Sequence, residues 1–337
     1  MEKNSTPDSF LKQLEALQQK EVIPAKHLAI LRHFYLAYAK ALNAHHIPIS
    51  QYERLFSTYM QLIAEQCREP FVFDLYHRRI RSPFDHYRFG LDLFKPLVDK
   101  STSSVNGLAD LKEIVSCLQK GENAIFFANH QIESDPQAIN ILLEEHFPSF
   151  AENLIFVAGE RVITDPLAVP LSMGCNLLCI YSKRYIDQPP EHKSKKQLHN
   201  KRTMQLMSEL LSEGGKAIYV APSGGRDRPN AEGIVTVAPF DPQSIEMFYL
   251  MALRAGHPTR FYPLVLKTHA LLPPPETIQV ELGEARLAKR SGIHLAFGPA
   301  FDIEHFSGSE LSDKHARREA RAQAIWETIS TMYQKFP

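Results

Sequence analysis

The sequence predicts an α/β protein: an N-terminal helical bundle over residues 1–73, then a larger α/β domain over 74–337 whose mixed sheet is flanked by helices. Three observations carry this. Up to Pro70 the apolar residues recur every three to four positions, the period of a helix. From Ala124 onward, short apolar runs alternate with longer helical patterns, the signature of strands and helices packed in layers. At 337 residues the chain can bury a large core without cross-links.

The elements follow in order. Ser9 to Gln19 sets Phe10, Leu11, Leu14 and Leu17 near helical spacing. Pro24 suits the first position of a second helix, which carries Leu28, Leu31, Tyr35, Tyr38 and Leu42. Ile47 to Ser50 breaks the pattern, and a third helix carries Tyr52, Leu55, Phe56, Tyr59, Leu62 and Ile63 to a stop before Pro70. Short links between helices favour a small bundle. The aromatic run from Phe71 to Tyr87 reads as a connection. A helix is expected over Leu108–Lys120. Strands are expected at Ala124–Ala128, Leu154–Ala158, Leu177–Tyr181, Ala217–Ala221, Phe261–Leu266, Thr277–Leu282 and Ile293–Phe297. Helices are expected at Pro136–Glu145, Lys195–Leu211, Pro242–Ala255 and Asp313–Lys335.

Composition removes several function classes. Basic and acidic residues number 38 each, so there is no protein-wide positive field for gripping nucleic acid. Four cysteines, at 67, 117, 175 and 179, are too few for a disulfide framework and lack the paired spacing of a zinc site; they read as free thiols in a reducing compartment, and no metal or cofactor is expected. The first eight residues have neither the apolar stretch of a secretory signal nor the Arg-rich, acid-poor texture of a transit peptide. The longest apolar stretch, Leu167 to Tyr181, is interrupted by Pro170, Ser172, Gly174 and Asn176 and is shorter than the ~20 residues that span a bilayer. The expectation is a soluble protein whose contact with a membrane is at most a transient one at the surface.

Three segments can carry chemistry. The first is Asn129-His130-Gln131-Ile132-Glu133-Ser134-Asp135-Pro136, between a buried-looking strand and a helix, where α/β proteins put catalytic groups. If the chain curls at the strand end, Asp135 can accept the imidazole N–H, fix the tautomer and raise the basicity of His130. Asp135 can equally be only the cap of the next helix, with Pro136 in its first turn. The second is Ala221 to Pro229, a strand end and glycine turn presenting Arg226 and Arg228, whose guanidinium forks suit a phosphate; an ordinary surface turn with an Arg–Asp pair fits as well. Ser223 lacks the G-x-S-x-G elbow of a nucleophile, and the turn lacks the ending of a P-loop. The third is a basic run from Lys183 to Arg202: Lys183, Arg184, Lys193, Lys195, Lys196, Lys201 and Arg202 against Asp187 and Glu191. It is either a solvated helix face or a patch that docks an acidic partner.

Taken together, these segments resemble the soluble glycerol-3-phosphate acyltransferases of plant plastids and of bacteria that carry the same type. The resemblance lies in Asn129-His130-Gln131 through Asp135-Pro136, Phe156 to Val162 with Thr164-Asp165-Pro166-Leu167, and Asn176 to Lys183. It continues in Ala221 to Pro229, Ala238-Pro239-Phe240-Asp241, Tyr262-Pro263-Leu264 with His269, Pro273-Pro274-Pro275, and Arg81 to Asp85. It covers nearly the whole chain in order. The resemblance implies transfer of a fatty acyl group from acyl carrier protein, or coenzyme A, to the sn-1 hydroxyl of glycerol 3-phosphate. It implies His130 as general base, Asp135 as its partner, and Arg226, Arg228, Lys183 and Arg184 as phosphate ligands. Where the family usually shows Lys-Lys-His, this chain has Lys183-Arg184-Tyr185. Acyl carrier proteins are acidic, which gives Lys193, Lys195, Lys196, Lys201 and Arg202 a reason to be there. The stretch from Leu167 to Leu178 is either a wall of an acyl groove or ordinary core. The resemblance and the N-terminal reading together lead us to expect a bacterial cytoplasm, or a plastid stroma for a processed form.

The competing readings are an acyltransferase with another acceptor such as a lysophospholipid, a phosphoryl-transfer enzyme, and an inactive homologue that only binds a carrier protein. The second has no carboxylate cluster to support it, and the His130–Asp135 pair weighs against the third.

Overall fold

The computed structural model describes residues 9–19, 22–183, 186–275 and 283–337. Its centre is an eight-stranded mixed sheet. In chain order the strands are β1 (Tyr76–His77), β2 (Ser104–Asn106), β3 (Asn123–Ala128), β4 (Ile155–Gly159), β5 (Asn176–Ile180), β6 (Ala217–Val220), then β9 (Thr259–Lys267) and β10 (His294–Phe297). A separate hairpin joins β7 (Arg228–Pro229) to β8 (Val235–Thr236). The spatial order is β1-β5-β4-β6-β3-β9-β10-β2. The run β5-β4-β6-β3-β9 is parallel throughout; β1 pairs antiparallel with β5 and β10 antiparallel with β9, and β2 pairs parallel with β10.

Period-two alternation explains how β3 builds both layers. All six of its residues are buried. Ile125 and Phe127 face one way, into a cluster with α10 (Lys193–Glu213), α11 (Pro242–Arg254) and α12 (Lys314–Tyr333). Ala124, Phe126 and Ala128 face the other way, against Leu111 and Ile114 of α5 (Leu108–Gln119) and Ile139 and Leu143 of α6 (Asp135–Leu143).

The N-terminal helices α1 (Ser9–Gln19), α2 (Ala25–Asn43) and α3 (Glu53–Arg68) pack around Phe10, Phe34, Tyr35, Tyr38 and Phe56. Pro24 stands one place outside α2, as its N-cap, rather than at its first position. This buried cluster runs past residue 73 into Phe89, Leu93 and Phe94 of α4 (His86–Phe94), Leu171 of α9 (Val169–Ser172), and Leu271. Tyr59 of α3 donates its hydroxyl to the Leu167 carbonyl at 2.5 Å, tying the helical start to the sheet region.

The segment read as a connection holds β1 and the start of α4, which Asp85 caps by accepting from the Arg88 amide at 2.9 Å. The expected strand at Thr277–Leu282 lies outside the described residues. The stretch from Leu167 to Leu178 is core: Leu167, Leu171, Leu177 and Leu178 are all buried. The cysteines are free, with Cys117, Cys175 and Cys179 buried and Cys67 half-buried; burial pushes the thiols of Cys175 and Cys179 up to about 12. No described helix is long and apolar enough to cross a membrane.

Candidate active site

Five parallel strands deliver their carboxyl ends to one edge of the sheet, the place where open α/β sheets bind ligands. His130 follows β3, the Arg226 turn follows β6, and Thr268 and His269 follow β9. Lys183 follows β5 on the same edge. Residues that are far apart in sequence therefore meet because β6, β3 and β9 are neighbours.

At the centre His130 Nδ1 lies 2.8 Å from Asp135 Oδ2. A carboxylate oxygen accepts, so this geometry suits the imidazole tautomer with its proton on Nδ1 and its lone pair on Nε2. Asp135 is 1% exposed, whereas the His130 side chain is 31% exposed and can meet a ligand. Asp135 is not spent as a helix cap. The N-cap of α6 is Ser134, and the Asp135 carboxylate turns back over the loop, where Oδ2 also accepts from the amides of Gln131 at 2.8 Å and Ile132 at 3.3 Å. Oδ1 accepts from Thr268 Oγ1 at 2.6 Å. Together these bonds fix the plane of the carboxylate.

Buried polar groups brace this loop. Asn129 donates to the Leu266 carbonyl and to Asp227 Oδ2, both at 2.8 Å, and accepts from the Leu266 amide at 2.8 Å. Its carbonyl accepts from Tyr219 at 2.7 Å. Gln131 accepts from the amides of Thr268 and His269 and donates to Asp227 and to Tyr333 of α12. Asp227 is 0% exposed. Burial raises its pKa to about 6, against the hydrogen bonds it accepts from Ala238, Asn129 and Gln131. Among the described residues the buried Nε2 of His269 has no hydrogen-bond partner, and burial, with Lys289, Arg226 and Arg228 nearby, holds its pKa below the usual imidazole value.

The turn after β6 needs Gly224, whose φ of +62° lies in the left-handed region, to bring the arginines round. Ser223 Oγ donates to the Gly225 carbonyl at 2.8 Å and serves the turn. Arg226 Nη2 sits 2.6 Å from both carboxylate oxygens of Glu284. Arg228 begins the β7–β8 hairpin and donates to the Arg226 carbonyl at 3.2 Å. Lys183 is 60% exposed and bonds Asp241 at 2.5 Å and Gln243 at 3.2 Å; Asp241 in turn donates its amide to Pro222, at the base of the arginine turn. Arg184 lies outside the described residues, as does Tyr185.

The basic run divides. Lys193, Lys195, Lys201 and Arg202 are exposed on α10, and Lys193 pairs with Asp187 at 2.8 Å. Lys196 departs from the expected patch. It is 6% exposed and binds the Gln188 carbonyl at 2.7 Å, Glu160 at 3.3 Å and the face of Tyr181, because its helix position points at the ends of β4 and β5.

Sequence reasoning did not single out Thr268, Gln131, Asp227, Glu284 or Arg286 as site residues. Arg286 is 5% exposed and holds Glu133 through two bonds, at 2.8 and 3.1 Å. Gln131 and Asp227 stood inside the quoted motifs, flanked by the residues chosen. Glu284 and Arg286 had no such signal.

Residues 110–267 match the Acyltransferase family model. A chloroplastic glycerol-3-phosphate acyltransferase of Pisum sativum is 36% identical over 318 residues, 92% of this chain and 68% of the relative. The chain belongs to the glycerol-3-phosphate acyltransferase family. Its similarity to the ATS12 glycerol-3-phosphate acyltransferase of Cucurbita moschata is 39% over 266 residues, 79% of this chain and 57% of that one. Against the Arabidopsis thaliana enzyme it is 38% over 267 residues, with 79% and 58% covered. The chain thus spans less than two thirds of the length of these two relatives, both named chloroplastic. A solved 1-acyl-sn-glycerophosphate acyltransferase of Thermotoga maritima superimposes at a TM-score of 0.41 and 14% identity over 91% of this chain and 97% of that one, a likeness too slight to bear on function. The matched family segment contains His130, Asp135, Lys183, Arg226 and Arg228, whereas Glu284 and Arg286 lie beyond it.

Proposed function

We propose that this chain transfers a fatty acyl group from acyl carrier protein, or from coenzyme A, to the sn-1 hydroxyl of glycerol 3-phosphate, giving 1-acyl-glycerol 3-phosphate. The observation that carries the reading is the 2.8 Å bond from His130 Nδ1 to a buried Asp135, on the sheet edge that also bears Arg226.

His130 Nε2 takes the proton of the C1 hydroxyl as that oxygen attacks the thioester carbonyl. The tetrahedral intermediate collapses, the C–S bond breaks, and the imidazolium returns the proton to the departing thiolate. A thioester is reactive enough that no acyl-enzyme is needed, so positioning and a base suffice. Arg226 and Arg228 hold the substrate phosphate, with the exposed Lys183 assisting and Arg184, by the family resemblance, adding charge; the guanidinium edges supply paired donors to its oxygens. The exposed Lys193, Lys195, Lys201 and Arg202 attract the acidic carrier protein. Work of this kind belongs in a plastid stroma or a bacterial cytoplasm, with the acyl product handed on at a membrane surface.

Release of free thiol from acyl-carrier protein and from acyl-coenzyme A, with glycerol 3-phosphate, glycerol or a lysophospholipid as acceptor, tests the reading. We expect thiol release that depends on glycerol 3-phosphate and is absent with glycerol. Release driven by the lysophospholipid alone would move the acceptor assignment, and no acceptor-dependent release would refute the reading.

A further inference from the structure

We propose that Glu284 is an internal stand-in for the substrate phosphate, a carboxylate that occupies Arg226 until a more highly charged anion displaces it. The inference rests on the reading of Arg226 as a phosphate ligand.

Arg226 is already engaged where a ligand should be. Its Nη2 lies 2.6 Å from Glu284 Oε1 and 2.6 Å from Oε2, and the two side chains are 19% and 12% exposed. A carboxylate gripped in this way presents two oxygens and one negative charge at the spot where a phosphate would present three oxygens and nearly two charges.

The surrounding bonds let the Glu284 side chain leave without its backbone moving. The Glu284 carbonyl accepts from Arg286 Nη1 at 3.1 Å. Arg286 is itself fastened to Glu133 by two bonds. The amide of Gly283 donates to Asp165 Oδ2 at 3.1 Å, and Asp165 is 5% exposed. Gly283 has a φ of +82°, so the chain enters Glu284 through a conformation that glycine adopts easily. Displacement then needs only the side-chain torsions of Glu284 to change.

The consequence is selection by charge. A neutral diol offers Arg226 nothing that Glu284 does not already give it, and an anion of single charge gains little by the exchange. A phosphate monoester gains a second charge and keeps Arg228 within reach. Glu284 thereby weakens the site for every anion and penalises the poorly charged ones most.

Calorimetric titration with inorganic phosphate, and the KM for glycerol 3-phosphate, decide the matter in the full chain and in Glu284→Gln, Glu284→Ala, Arg226→Ala and Glu284→Gln/Arg226→Ala. We expect both Glu284 variants to bind phosphate about tenfold more tightly, since a charge-assisted contact no longer has to be broken first. The double variant should bind no better than Arg226→Ala. Weaker or unchanged phosphate binding in both Glu284 variants overturns the inference and makes Glu284 a support that orients Arg226. If Arg226→Ala binds phosphate as well as the unmodified chain, the phosphate reading of Arg226 falls and the inference with it. If Arg226→Ala binds weakly while neither Glu284 variant binds tightly, the inference alone falls.

Discussion

The Asp227 amide donates to the His130 carbonyl at 2.6 Å, and this bond fastens the arginine turn to the histidine loop. The Asp227 side chain strengthens the junction by accepting from Asn129, Gln131 and Ala238. The distance between His130 and the arginine turn is thus set by groups buried between two neighbouring strands.

Replacing Asp227 with alanine should disturb both halves of the site. The buried Asn129 and Gln131 side-chain amides and the half-buried Ala238 amide would each lose an acceptor, and a buried loss of this kind costs about 1–3 kcal/mol. We expect a drop in unfolding free energy of about 3 kcal/mol or more, measured by denaturant titration, with a lower kcat and a higher KM for glycerol 3-phosphate. A variant as stable and active as the unmodified chain would show that the junction does not need this carboxylate.

Asp227 also makes a pH signature. Its pKa is raised in the folded state to about 6 from an ordinary 3.8. A raised carboxylate binds its proton more tightly when folded, so its contribution to stability is complete below about pH 4 and is lost as pH rises towards 6. The stability difference between the unmodified chain and Asp227→Asn should therefore shrink from pH 4 to pH 6. A difference flat across that window would mean that the carboxylate titrates alike in both states.

Loss of either guanidinium, in Arg226→Ala or Arg228→Ala, should raise the KM for glycerol 3-phosphate by roughly tenfold or more while changing that for the acyl donor little, since a charge-assisted contact is worth about 1.5–3 kcal/mol. Steady-state kinetics with each substrate varied in turn checks this. A rise confined to the donor KM would reassign the arginines.

The sequence carries the parts of this site that are local. β3 is apolar from Ala124 to Ala128, His130 follows two residues later and Asp135 five residues after that, so strand, loop and pair can be read together. The arginine turn is equally local, with its glycines beside it. What the sequence does not carry is which strand neighbours which. Thr268 reaches Asp135 only because β9 lies beside β3, and Glu284 reaches Arg226 across 58 residues. Lys196 misleads for a different reason: a charge run does not say which of its members faces inward, and on α10 one lysine of several does. The start of α4 hides in an aromatic run, although Asp85 followed by Phe89, Leu93 and Phe94 is a cap and an apolar face that a closer count would detect.

That division of the basic run is itself testable. Reversing the charge of Lys195 and Lys201 together should slow the carrier-protein reaction more than the coenzyme A reaction, mainly in kcat/KM, and the carrier-protein reaction should weaken steeply with salt as exposed charges are screened. Lys196→Ala should instead lower the melting temperature, because Glu160 and the Gln188 carbonyl lose a buried partner. Equal effects of the double reversal on both donors, or none on either, would return the exposed lysines to a merely solvated face.

The most direct test of the account is the turnover of His130→Ala, with its melting temperature and phosphate affinity measured alongside. General-base catalysis contributes ~10²–10⁴-fold, so thiol release in the presence of glycerol 3-phosphate should fall by about that factor while fold and phosphate binding are kept. Near-normal turnover in this variant would contradict the assignment of His130 as the base.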